Sequence, residues 1–462
     1  MLVMSYAFAS LTMCGAALYL FYRLRFYVTA STMLVGSLLL IYGPAYLSFV
    51  LSSGEKAMVL RRLLGSMGGK SLIFGTIEAA SADFGAILIA MNFSIALMFI
   101  GVVVGIELID RLMPMRVARM QAVLPAWNSQ PLMDDAGGSR VLLAAISVSV
   151  LMMAWISMSE HHLATIREFL SISGDEAGRI AYRLDHGGSP NYVYRVVLGA
   201  VAPMFVIWGA LAGWIKRSWP VLLATSLLFL LTFLGKCETL SKAPPAFFLF
   251  QLIVVSFLVF RNSITWRTGL AMSLASFLVL VVITRLTVSA YDDYGVLGFV
   301  YYRVFEVPTE SLLETFGAYP FRYPHTWGAN IRPLAILLGK DYTPAFSIVS
   351  QLWHGASGAT SNALFIADAW VDFSYAGVIV FSILAGAICR AIDAIFLANG
   401  KTVVGIAVIG AVCIGIFTLL VSSLNTAALS GGLLLAPLAA GAIVKVIRRV
   451  DHRQTSHILR PR

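Results

Sequence analysis

Apolar residues run in long uncharged stretches along this chain, and the sparse charged residues mark where each stretch ends. The uncharged intervals 1–22, 26–54, 84–106, 141–159, 196–215, 218–235 and 243–260 each suffice to cross about 30 Å of hydrocarbon as a helix of about 20 residues. Intervals 268–284 and 373–389 are slightly shorter. Interval 402–444 has twice the needed length and a polar break at Ser422, Ser423, Asn425 and Thr426, so it divides into two helices. The pattern predicts an all-α integral membrane protein of about eleven transmembrane helices, a single polytopic domain over 1–462. Alternating ten-residue segments of the barrel type are absent, and backbone in lipid must bond within its own helix.

Composition agrees: 59% of the 462 residues are hydrophobic and only 12% charged, which excludes a water-soluble globular protein. The net charge of +10 follows from topology. No basic residue precedes the first apolar run, and Arg23 and Arg25 follow it, so a retained first helix with its N-terminus outside is expected. Alternation from there gathers the basic excess, including Arg111, Arg116, Arg119, Lys216, Arg217 and the tail from Lys445, in the cytoplasm with the C-terminus. These cations are dispersed through short loops, as anionic lipid requires, and nucleic acid is not an expected partner.

Two polar segments fall outside by this count. The first, 160–195, carries Leu163, Ile166, Phe169, Leu170 and Ile172 at helical spacing, which fits either an amphipathic surface helix or a solvated loop. The second, 289–372, is far longer than a connecting loop usually is and points to a functional element that forms the active site. Its aromatic residues suit either the stacking of sugar rings, with Tyr302, Tyr323 and Trp327 the candidates, or an interfacial belt, which is the commoner cause. Prolines 308, 320, 324, 333 and 344 break it into short helices lying on or dipping into the membrane. Arg303, Arg322 and Arg332 lie on the side that disfavours cations; a bound pyrophosphate explains them, and so does pairing with Glu306, Glu310 and Glu314.

Other motifs carry less. Gly65 to Ser71 has one residue too few between its outer glycines for a phosphate-cradling loop. His161-His162 with Asp185-His186 makes a metal site only if the fold assembles it, and no metal or other cofactor is expected. The Gly-x-Ser-x-Gly elbow of hydrolases is missing around Ser357. Cys14, Cys237, Cys389 and Cys413 have no paired spacing, while Gly101-x3-Gly105 and Gly209-x3-Gly213 read as close helix packing. No internal repeat is evident.

The stretch Ser357-Gly-Ala-Thr-Ser-Asn-Ala-Leu-Phe-Ile-Ala-Asp-Ala-Trp-Val-Asp-Phe-Ser-Tyr-Ala-Gly-Val378 runs from small polar residues into a helix. It resembles the approach to a late transmembrane helix in the Wzy-type oligosaccharide repeat unit polymerases of bacteria. Tyr302 to Pro308 and Ser241-Lys242 are similar to that family as well, and its members usually have glycine where this chain has Ser374. The specific similarity covers about residues 300 to 390. It implies a GT-C-like helical bundle in the bacterial cytoplasmic (inner) membrane. The implied activity is an inverting-type glycosyltransferase, metal-independent, that joins undecaprenyl-pyrophosphate-linked oligosaccharide repeat units into O-antigen or exopolysaccharide. Membrane lipids and a chain-length regulator protein are the partners this implies.

Such chemistry needs cations for the departing pyrophosphate and a base for the attacking hydroxyl. Arg303 is the first candidate for the pyrophosphate, with Arg322, Arg332, Arg195 and Lys242 behind it. Asp368, Glu306 and His354 are the candidate catalytic groups; Asp372, four residues beyond Asp368, reads as a helix-start carboxylate. An O-antigen-ligase-like glycosyltransferase and a transporter of lipid-linked sugar are the alternatives.

Overall fold

The computed structural model describes residues 1–56, 70–134, 139–172, 176–241, 243–261, 295–355 and 363–458, with single positions between 274 and 285. Among the described residues the secondary structure is helical, with two isolated bridges and no strand. Among the described residues eight helices are long and apolar enough to cross a membrane: Leu2–Leu24, Ala30–Leu51, Phe84–Leu112, Arg140–Ser159, Tyr192–Lys216, Trp219–Glu238, Phe365–Phe396 and Val403–Val421. The protein is therefore an all-α, multi-pass membrane protein. Of the remaining expected spans, Pro244–Phe260 is a shorter apolar helix and 268–284 lies largely outside the described residues. The expected break after Val421 is present, but the helix beyond it, Leu435–Ile458, becomes polar along its second half.

The residues group into two compact units, Met1–Leu112 with Ser263–Arg390 and Leu419–Asn425, and Met113–Asn262 with Ala391–Thr418 and Thr426–Arg462. In the first unit the glycine spacing acts as expected. A side chain at Gly101 or Gly105 would overlap Ser382 or the Ile383 backbone, and one at Gly386 would overlap Val102, so these helices touch backbone to backbone. At one end of that seam Arg390 makes a two-pronged pair with Asp110, at 2.5 and 3.0 Å, and Arg23 adds a contact to the same carboxylate at 2.8 Å. In the second unit Gly209 and Gly213 admit Thr225, Ile146 and Leu222 just as closely. The amphipathic pattern over 163–172 becomes the helix His162–Ser171.

The long segment after Ser289 departs from its expectation. Pro308 does not end its helix: Gly295–Tyr301 continues through a π turn, Tyr302–Glu306, into Val307–Ala318. The wider turn just ahead of the proline absorbs its missing N–H. Every residue of that helix from Pro308 to Ala318 is buried. Pro333 and Pro344 act as the sequence suggests, opening the helices Arg332–Leu337 and Ala345–His354.

Candidate functional site

Glutamates at 306, 310 and 314 share one face of the buried helix, because positions four apart stack along a helix. They are 3%, 4% and 4% exposed. A carboxylate this deep requires partners. Tyr302 donates its hydroxyl to Glu310 at 2.5 Å, and the Ser71 hydroxyl donates to the other oxygen. Burial raises the Glu310 carboxyl above its ordinary value, opposed by those two hydrogen bonds and by the charges of Lys56 and Arg303. Lys56 Nζ sits 4.6 Å from the centre of the Tyr302 ring, and the Arg303 guanidinium lies 5.8 Å from that of Phe299.

One turn on, His354 Nε2 is 3.0 Å from Glu314, and the Trp353 indole N–H donates to the Glu314 carbonyl at 2.9 Å. Arg322 stacks over the Trp353 ring at 5.9 Å and donates to the carbonyl of Ala80. The helix thus carries a row of carboxylates on its buried face, with cationic and aromatic groups arranged along it.

A second cluster is joined to this one through packed rings. Phe316 stacks on Trp370 at 4.6 Å, and the Trp370 indole donates to the Tyr319 carbonyl at 2.8 Å. Beside Trp370, Asp372 is fully buried. Its Oδ1 accepts from the Thr326 hydroxyl and from the backbone N–H groups of Gly328 (2.9 Å) and Asn330 (3.2 Å), while its carbonyl accepts from Trp327 N–H (3.1 Å). Asp372 therefore moulds the turn 326–330 and gives it its shape. Its Oδ2 is buried without a hydrogen-bond partner among the described residues.

Asp368 is placed differently. The Asn330 side-chain amide donates to its Oδ1 at 2.7 Å, while the Asn330 oxygen accepts from Ala345 N–H at 2.8 Å, so the amide's orientation is set by the network. The second Asp368 oxygen has no hydrogen bond among the described residues, and the residue is partly buried. Burial and the neighbouring Tyr323, Asp372 and Asp368 push the Tyr319 phenol up to about 12, and its hydroxyl too is buried without a partner among the described residues. It remains a neutral donor at physiological pH.

The helix carrying both aspartates is interrupted immediately after them, at Phe373 (φ −133°, ψ 17°) and Ser374 (φ 55°, ψ −145°). Ser374 occupies a region natural to glycine alone. The break sets the short turn bearing Asp368 and Asp372 apart from the membrane-spanning run that follows.

The first unit thus contains Glu306, His354, Arg303, Arg322, Tyr302, Tyr323, Trp327, Arg332 and Asp368. Trp327 is 59% exposed and Tyr323 and Arg332 are exposed, whereas Tyr302 has Lys56 over its ring and its hydroxyl engaged. Arg195 belongs to the second unit, and Lys242 lies outside the described residues. Lys56, Thr326, Asn330 and Trp353 stand in no motif of the sequence. Ser71 closes the motif rejected as a phosphate loop; it caps the helix Leu72–Ala80 through Phe74 N–H and bonds Glu310, while Lys70 pairs with Glu78 at 2.5 Å.

No protein-family model, no curated protein and no solved structure matches this chain. The guide to function is the chemistry of the site.

Proposed function

We propose that this protein is a membrane glycosyltransferase that polymerises oligosaccharide repeat units carried on undecaprenyl pyrophosphate, a member of the Wzy-type polymerases working at the outer face of the bacterial cytoplasmic membrane. The observation that carries the reading is Asp368: a carboxylate held by Asn330 on one oxygen, unbonded on the other, beside a turn that presents the exposed Trp327. Such a carboxylate takes the proton of an attacking sugar hydroxyl, and an exposed indole is a platform for a sugar ring. A lipid pyrophosphate is already an activated leaving group, so the remaining requirement is cationic. Arg303, Lys56 and Arg322 are the groups in this unit assigned to it, with Arg332 behind them. Glu306, buried at the π turn, and His354, paired with Glu314, act in this reading by positioning their neighbours.

The test is purified protein in detergent given a lipid-linked repeat unit. A ladder of longer glycans on the lipid is expected, lost with Asp368→Asn and with Arg303→Ala. Unchanged single-repeat lipid under all conditions would overturn the proposal, and transfer to an acceptor other than a second repeat unit would replace it with the ligase reading.

A further inference from the structure

We propose that Glu160, His162 and Glu238, in the second unit, form a binding site for one divalent first-row transition metal ion of the zinc or manganese class. The site is independent of the one described above and of the glycosyltransferase reading.

The three side chains come from three places in the sequence. Glu160 follows the helix Arg140–Ser159, His162 opens the surface helix His162–Ser171, and Glu238 ends the helix Trp219–Glu238. His161 between the first two takes φ 53°, a left-handed turn that points the chain back on itself so that both neighbours face Glu238. One ligand atom from each lies within 4.8 Å of the others. His162 Nε2 is 3.1 Å from the Glu160 carboxylate and 3.6 Å from that of Glu238. Donors bonded tetrahedrally at about 2.0–2.1 Å stand about 3.3 Å apart, so these separations bracket those around an ion.

Electrostatics supplies the second argument. His162 and Glu238 are only 2% and 3% exposed, and neither carboxylate has a lysine or arginine within ion-pairing distance among the described residues. Arg195 acts on Glu238 through space and forms no ion pair with it. Two carboxylates at one buried imidazole leave a deficit of positive charge that a divalent cation fills.

The outer support is also built. The Tyr194 hydroxyl lies 3.4 Å from His162 Nδ1, and a side chain at position 235 would collide with that hydroxyl, so Gly235 makes room for it. With a metal on Nε2 the ring proton resides on Nδ1, where the Tyr194 oxygen accepts it; orienting partners of this kind are the usual companions of a ligating histidine. The histidine nitrogen favours zinc over magnesium or calcium, and the two carboxylates also admit manganese. His186, which the sequence sets beside His161-His162 only if the fold assembles them, instead stacks on Tyr182 at 4.4 Å. A metal here ties the surface helix to the ends of two membrane helices, so its role is structural.

The experiment uses the full chain in detergent, treated with a chelator, exchanged into buffer and titrated with Zn²⁺ and separately with Mn²⁺ and Mg²⁺. The readouts are metal content by mass spectrometry and the thermal midpoint. One equivalent of zinc or manganese and a raised midpoint are expected, with Mg²⁺ failing to substitute. His162→Ala and Glu238→Gln should each weaken binding at least tenfold, and Tyr194→Phe about tenfold. Glu160→Gln, at a less buried position, provides the decisive variant if the others fail to fold, and must weaken binding as well. Glu168→Gln, elsewhere on the same surface helix, should bind as the parent does. Absence of a stoichiometric site, or a site retained in Glu160→Gln, overturns the proposal.

Discussion

Asn330 holds Asp368 through a single hydrogen bond of 2.7 Å, and the carboxylate's other oxygen is without a partner among the described residues. If that oxygen accepts a substrate proton, Asp368→Asn should lower turnover of a lipid-linked repeat unit by about 10²–10⁴-fold while leaving the protein folded. Asn330→Ala should produce a smaller loss, roughly tenfold to a hundredfold, because it frees the carboxylate to rotate without removing it. Equal turnover by Asp368→Asn and the parent in the purified assay would remove Asp368 from the mechanism.

Asp372, in contrast, is structural. Asp372→Ala strands the N–H groups of Gly328 and Asn330 and should cost about 3 kcal/mol or more. Asp372→Asn retains the accepting oxygen and gives up a buried charge, so it should remain close to the parent. Thermal unfolding in detergent checks this ranking, and the reverse order would contradict it.

The Arg390–Asp110 pair sits with side chains only 4% and 6% exposed. Breaking it from one side leaves a buried charge uncompensated, so Asp110→Ala should cost about 3–5 kcal/mol. Arg390→Ala should cost less, because Arg23 still reaches the Asp110 carboxylate. A chemical-denaturation series on the two single variants and the double variant should find the double less destabilised than the sum of the singles.

Ser374→Gly should stabilise the protein by about 1 kcal/mol, since it removes the strain of a side chain at φ 55°, ψ −145° against the smaller entropic cost of glycine. A lowered unfolding midpoint would show that the break between Asp372 and the following helix is not held in this conformation.

Burial raises the Glu310 carboxyl above its ordinary value of 4.5. The sign follows: a carboxyl that folding makes harder to ionise contributes stability that is fully present below its unfolded value and is lost as pH rises through the raised folded value. From pH 4.5 upward the parent's midpoint should therefore carry a downward component that Glu310→Gln lacks. Midpoints of the two proteins measured across pH 4 to 8 should diverge in the variant's favour as pH rises; parallel curves would refute the assignment.

That this is a helical membrane protein, and where most of its spans run, is legible along the chain, because the cost of charge in hydrocarbon leaves uncharged intervals of bilayer length. The close seams at Gly101/Gly105 and Gly209/Gly213 are legible too, because spacing on a helix is local. The four-residue spacing of Glu306, Glu310 and Glu314 was equally legible. Their burial was not, because whether a polar face meets water or protein is decided by what packs against it. Only the tertiary structure brings Ser71 to Glu310 across 239 residues, Asn330 to Asp368 across 38, and Glu238 to His162. Spacing along a chain encodes neighbours within a turn or two of helix. Partners that distant meet through the packing of other residues between them, and no local pattern records it.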